Sequence, residues 1–281
     1  MMERNTSIFL CLPTGCCKRP RQQCARCCEC RPARDEGNRV QMSETWDPSQ
    51  KIPETRLSPQ SVWTCLCQTL GVGETVSQRW WDVIEGHYRE SSRYYHTLKH
   101  VEDMLEDLDR LEGLSRPDLV QLSIFFHDLI YEARSGTNEE DSAKMFEMFA
   151  DEAGLDPSNV ATVLAYIIAT KKHDVLGSDD HDLRAFIDLD MAVIGREHDA
   201  YMTYAQQIRA EYAHVPHTVY CHKRAEVLRA FLKQPKIYAT KSFQISLEAR
   251  ARSNVATEIS LLNKGVVPGQ PPAVARCSDE R

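Results

Sequence analysis

The sequence predicts an all-α protein, and three observations carry that expectation. From Leu57 onward, apolar residues recur at three- and four-residue intervals rather than at every second position. Helix-opening signals of the Ser-Pro, Asp-Pro and Thr-x-x-Glu kinds punctuate the chain. Glycine is scarce, at 12 of 281 residues, where many short strands and tight turns would call for more.

Each element has its own signal. Ser58 as N-cap with Pro59 in the first turn opens a helix to about Gly71. A second covers about 74–90, with Trp80, Trp81, Ile84 and Tyr88 on one stripe. A third starts near Thr97, where Val101, Met104, Leu105, Leu108 and Leu111 recur at helical spacing. Ser115 with Asp118 reads as a capping box for the next helix. Its run over 119–130 is apolar on nearly all sides, so it should be central and buried. Thr137 with Glu140 reads as a second box, opening a helix to about Glu152, and Asp156-Pro157 opens one ending near Lys172. Further helical patterns cover about 181–194, 198–213, 217–233 and 241–263. One domain over about 55–264 follows.

The flanks differ in composition. Residues 1–40 carry eight Lys/Arg and four Asp/Glu, a net of +4, which leaves −11 of the total −7 to the remainder. Seven of the eleven cysteines precede Met42. Segment 1–54 therefore reads as a disordered extension. Cys24-Ala-Arg-Cys27 with Cys28 and Cys30 has thiolate spacing that can share a zinc ion, although no second spaced pair accompanies it. Cysteines this dense are also open to lipidation. The tail 265–281, with Val-Pro-Gly-Gln-Pro-Pro, reads as disordered.

Composition narrows the function classes. The net charge of −7 argues against a nucleic-acid binder, which needs a basic excess. No stretch reaches the roughly 18 uninterrupted apolar residues of a membrane span. The apolar segment at Ile8–Leu12 is too short for a secretory signal. The four scattered cysteines of the body do not form a disulfide pattern, so a reduced, cytoplasmic protein is expected.

Polar residues on buried helices need a reason, because an unpaired imidazole or carboxylate in a core is costly. His100 shares a stripe with Met104, Leu108 and Leu111. His127 and Asp128 follow Ile124-Phe125-Phe126 at the end of the most apolar helix. Asp188 and Asp190 interrupt the apolar run over 186–194. Histidines and carboxylates converging from three helices make a mixed nitrogen/oxygen site suited to a divalent metal ion: Mn, Fe, Co, Ni, Zn or Mg. A His hydrogen-bonded to an Asp in the core, with no metal, remains the structural alternative.

These segments resemble a known family. Arg93-Tyr-Tyr-His96-Thr-Leu-Lys-His100-Val, Phe126-His-Asp-Leu-Ile-Tyr131, Asn138-Glu-Glu-Asp-Ser-Ala143 and Phe186-Ile-Asp-Leu-Asp-Met-Ala-Val-Ile-Gly195 are similar to predicted metal-dependent phosphohydrolases of the HD superfamily. Ile208-Arg-Ala-Glu-Tyr212 and Glu248-Ala-Arg-Ala-Arg-Ser-Asn254 extend the likeness, which covers roughly 57–262. The resemblance implies a helical fold around one metal held by His100, His127, Asp128 and a later aspartate. Asp190 fits that last place best, and Asp188 is its rival. His96-x-x-x-His100 is also similar to the cyclic-nucleotide phosphodiesterase segment that sets a general-acid histidine before a ligand histidine, with Thr97 replacing an asparagine. It implies an acid role for His96.

The expected substrate is a nucleotide or another small phosphorylated metabolite, attacked by a metal-activated water. Arg93, Lys99, Lys171 and His173 are candidates to meet its charge, and Asn138 to bind it. Glu139 is a candidate for metal water or catalysis, against plain helix N-terminal chemistry. Cyclic or linear phosphodiesters are the alternative substrates. Oxygenase chemistry at a two-iron site would need further ligands, and a non-enzymatic ligand-binding role is the reading of another class.

Overall fold

The Ser58 hydroxyl accepts a hydrogen bond from the Ser61 N–H at 3.2 Å, and Pro59 begins α1 (Pro59–Thr69), as the local signal predicts. The computed structural model describes residues 58–173 and 175–268. The expectations for the Cys- and Arg-rich segment and for the Pro-rich tail beyond Pro268 lie outside the described residues. After α1 come α2 (Glu74–Tyr88), α3 (Leu98–Leu108), α4 (Pro117–Phe126), α5 (Asn138–Ala153), α6 (Pro157–Ala169) and α7 (His181–Asp190). A 3-10 turn, Met191–Gly195, leads into α8 (His198–Glu211), α9 (His217–Lys233), α10 (Lys241–Ser246) and α11 (Glu248–Asn263). The chain is all-α; the described residues include no strand, and no helix among them is long and apolar enough to cross a membrane.

Three local expectations are corrected. Ser115 does not cap α4. The Asp182 carboxylate on α7 accepts from the N–H groups of Ser115 (2.9 Å) and Arg116 (2.6 Å), fastening the segment that enters α4 from across the bundle. Thr137 makes no side-chain cap on α5 and its hydroxyl donates to Asp141 instead, at 2.8 Å. The single helix expected over 241–263 breaks at Leu247. The break buries Leu247 completely and lets the Glu248 carboxylate accept from the Ile237 and Tyr238 N–H groups.

α4 is buried on almost every side, by Leu119, Val120, Leu122, Ile124, Phe125 and Phe126, and packs against α3, α5, α6 and α7. Its aromatic end meets Trp63 of α1, at 5.3 Å from Phe125, and Phe149 of α5, at 5.3 Å from Phe126. Two of the buried indoles keep a polar partner: Trp63 donates to the Ser77 carbonyl and Trp80 to Glu152. The core continues to the last helices, where α11 lies against α8, α9 and the 3-10 turn. Asn254 of α11 donates to the carbonyls of Ile194 (3.0 Å) and Arg196 (2.9 Å), which fixes the turn that follows Asp190.

That turn requires a glycine. A Cβ on Gly195 would lie 2.6 Å from the Leu247 Cβ and 2.7 Å from the Tyr238 hydroxyl. Gly86, inside α2, faces open space. Gly195→Ala should therefore lower unfolding stability by about 1–3 kcal/mol through overpacking. Gly86→Ala should raise it by about 0.5–1 kcal/mol through helix propensity. Denaturant titration of the two variants reads both signs.

Candidate metal centre

α4 runs out inside the core, and its first unwound residues are His127 and Asp128. His127 turns its Nδ1 to the Ile124 carbonyl at 3.0 Å, so Nδ1 carries the hydrogen and Nε2 is left with a free lone pair. That Nε2 lies 3.2 Å from the Nε2 of His100, which the buried stripe of α3 brings to the same point. Asp190, the last residue of α7, places Oδ1 3.2 Å from His100 Nε2 and 3.7 Å from His127 Nε2. Asp128 Oδ2 lies 3.0 Å from His127 Nε2 and 3.8 Å from His100 Nε2. His100, His127 and Asp190 thus bring three donor atoms within 4.8 Å of one another, and Asp128 lies beside the two histidines as a fourth.

No family model, curated protein or solved structure matches the chain.

The donor chemistry fits a divalent cation. Neutral imidazole nitrogens and carboxylate oxygens are its usual ligands. Burial disfavours a charged His127, yet Asp128 and Asp190 overcome it and hold the imidazole well above its ordinary pKa. A field strong enough to do that favours positive charge at the point where the four side chains meet. The two aspartates resist protonation correspondingly: burial opposes their charge, and the histidines around them hold both well below the ordinary carboxylate range.

Asp188 and Asp190 have separate jobs. Two residues along a helix turn the side chain by about 200°, so both cannot face the histidines. Asp188 points away and accepts from the Ala239 N–H (2.7 Å), the Thr240 N–H (2.7 Å) and the Thr240 hydroxyl (2.6 Å), fastening the entry to α10.

The other candidates divide. His96 lies just before α3, with its Nε2 3.9 Å from Asp128 Oδ2 and its ring stacked on Tyr131 at 4.0 Å. His173 adopts a left-handed φ of 50° and places Nε2 2.8 Å from Asp190 Oδ2. Glu139 lines the same cavity, and its buried Oε2 has no hydrogen-bond partner; burial raises its pKa. Lys171 reaches the cavity but is bound to Glu140 (2.5 Å) and the Gly136 carbonyl (2.9 Å).

Two expected substrate contacts, Arg93 and Lys99, are corrected, while Asn138 lines the cavity with its amide already engaged. Arg93 has no exposed side-chain surface and donates to the carbonyls of Asp128 (2.7 Å), Leu129 (2.7 Å) and His96 (3.2 Å). It holds the His-Asp turn rather than a ligand. Asn138 closes the loop after Tyr131 by bonding both backbone groups of Glu132 at 3.1 Å. Lys99 is exposed, paired with Glu102 and Asp103, and outside the cavity that holds Asp128 and Asp190.

One residue given no role by sequence reasoning is central. Glu211, at the end of α8, receives five hydrogen bonds. Its Oε1 accepts from the N–H groups of Tyr94, Tyr95 and His96, and its Oε2 from His96 Nδ1 (2.8 Å) and the Tyr131 hydroxyl (2.9 Å). Burial alone would raise its pKa, but the His96 charge and these donors bring it down to about 2. His96 responds in kind: burial opposes its charge, and Glu211 with Asp128 lifts its pKa above the ordinary value. Glu211 falls on the α8 stripe of Tyr201, Ala205 and Ile208, so a carboxylate on an apolar face was its available signal.

Two predictions follow from these contacts. Asp188→Ala leaves two N–H groups and a hydroxyl without their acceptor; it should cost about 2–4 kcal/mol in denaturant unfolding and leave divalent-ion uptake unchanged. Asp190→Ala should abolish uptake, as read by calorimetry. Glu211 sets a pH dependence. Its folded pKa lies below the unfolded value, so the folded chain binds fewer protons than the unfolded one between about pH 4.5 and 2. About 3 kcal/mol of stability is then present above pH 4.5 and lost as pH falls toward 2. The stability gap between wild type and Glu211→Gln should close over that interval in pH-dependent unfolding.

Proposed function

We propose that the chain is a divalent-metal-dependent phosphohydrolase acting on a small phosphorylated metabolite. One observation carries the reading: the two aspartates of the donor set, Asp128 and Asp190, line the same cavity as a histidine held by a buried carboxylate. Asp128, Glu139 and Asp190 line that cavity and would repel an anionic substrate unless a cation lies between them. The resemblance to HD-superfamily phosphohydrolases points the same way.

His100, His127, Asp128 and Asp190 would hold the ion. When bound, it supplies a Lewis acid and lowers the pKa of a coordinated water. The chain's own groups do the rest. Glu211 fixes the His96 ring through Nδ1 and raises its proton affinity, so Nε2 is the atom that can give a proton to a leaving oxygen. Tyr131, stacked beneath the ring and bonded to the same carboxylate, prevents its rotation. Glu139 has a carboxylate oxygen with no hydrogen bond, 3.8 Å from the Lys171 ammonium, that can accept a proton from an attacking water. Lys171, Lys172 and His173 form the cavity's basic edge, where phosphoryl oxygens would sit.

Metal analysis followed by hydrolysis assays with added Mn, Co or Ni tests the reading. His127→Ala should lose both bound metal and turnover. His96→Ala should retain metal and lose about 10²–10⁴-fold in kcat, the usual worth of a general acid. Undiminished hydrolysis in both His127→Ala and Asp128→Ala would sink the proposal.

A further inference from the structure

We propose that the organic part of the substrate is a compact, ring-bearing apolar group rather than a polyol, seated on a wall built by the 3-10 turn, α8 and α9; this rests on the phosphohydrolase reading above. The cavity that holds His96, Asp128 and Asp190 continues over Met191, Val193 and Ile194 of the turn, Ile208 of α8, and Val227 and Phe231 of α9. Five of these side chains are pure hydrocarbon and the sixth is a thioether. Helical spacing assembles the wall. Tyr204, Ile208 and Tyr212 follow one another at four-residue steps, and Arg224, Val227 and Phe231 at steps of three and four, so one stripe of each helix faces the cavity.

The six side chains of the wall offer no hydrogen-bond donor, and two polar neighbours are already engaged. The Tyr131 hydroxyl is bonded to Glu211. Arg224 donates to Glu258 (3.0 Å) and to the Tyr204 hydroxyl (3.4 Å). A sugar hydroxyl pressed against this wall would lose its water and find no free partner, which is unfavourable. A ring loses little hydration there, gains apolar burial and can pack on the tyrosine faces. Polar demand is met elsewhere in the lining, by Lys171, Lys172 and His173, where the phosphoryl group would sit. The size agrees. The cavity measures about 140 Å³, room for on the order of ten water-sized groups, which matches a phosphoryl group and one ring.

Benzyl phosphate and ribose 5-phosphate separate the two substrate classes, because both are esters of primary alcohols and their leaving groups are alike. With Mn-loaded protein, kcat/KM should be at least tenfold higher for benzyl phosphate. In Val227→Asn the benzyl-to-ribose ratio should fall about tenfold. Phe231→Ser, at a half-buried position that folding tolerates better, should lower it in the same direction. Equal or faster turnover of ribose 5-phosphate, or variants that leave the ratio unchanged, would overturn the wall assignment while the phosphohydrolase reading stands. If metal-loaded protein hydrolyses neither ester, the phosphohydrolase reading falls, and calorimetry decides the wall separately. Tighter binding of benzylphosphonate than of ribose 5-phosphate supports the wall, and equal or weaker binding removes it.

Discussion

A helix that ends inside a hydrophobic core leaves carbonyls that water cannot reach, and each must find a donor from elsewhere in the fold. α4 ends in this way at Phe126, beneath the aromatic layer of Trp63, Phe149 and Trp80. The Tyr88 hydroxyl answers Phe125 and His127 Nδ1 answers Ile124, while Arg93 serves the turn beyond, its planar guanidinium reaching the carbonyls of Asp128 and Leu129 together. The Ser142 hydroxyl accepts from the Ile130 N–H a residue further on. With the backbone held by these groups, the His127 and Asp128 side chains are free to turn toward α3 and α7. The geometry of the candidate centre depends on that buried turn.

Glu211 ties the second half of the bundle to the first. A single carboxylate from α8 gathers the backbone N–H groups of three consecutive residues, 94–96, and then the side chains of His96 and Tyr131. Few buried carboxylates are so fully satisfied, and the donors explain why this one stays ionised without a Lys or Arg beside it. The consequence is mechanical as well as electrostatic. The segment before α3 cannot move without breaking these bonds, so His96 keeps its distance from Asp128. α11 does the same service for Asp190, through Asn254 and the 3-10 turn.

Local patterns made the helices legible, along with the inward face of His100 and the burial of α4, because periodicity reports which side of an element meets the core. They also brought His127, Asp128 and Asp190 forward, since polar residues within apolar runs stand out. What stayed hidden depends on partners far along the chain. Ser115 looked like a cap, but its N–H and that of Arg116 are held by Asp182 on a distant helix. Arg93 looked like a phosphate ligand, and nothing nearby showed that its donors would be taken by carbonyls 35 and 36 residues away. Glu211 joins a segment 115 to 117 residues distant. The choice between Asp188 and Asp190 was half legible: their spacing forbids a shared face, but only the position of Ala239 and Thr240 says which one is structural.

Folding this chain brings Asp128, Glu139 and Asp190 to one cavity, and their mutual repulsion grows as water is excluded. The fold relieves part of it by raising the proton affinity of His127, which places positive charge between the aspartates. A divalent ion relieves it more completely, because it replaces one proton's charge with two and engages the imidazole lone pairs at the same time. Ion binding and folding are therefore linked at this site. Whatever binds the folded chain alone adds RT ln(1 + [L]/Kd) to its stability, about 2.7 kcal/mol at a hundredfold excess over Kd. The helix end that positions the donors and the ion that would neutralise them thus stabilise the same turn. This electrostatic cost is what the proposed cation would offset, and the proposed apolar wall beyond it would select what that cation is brought to meet.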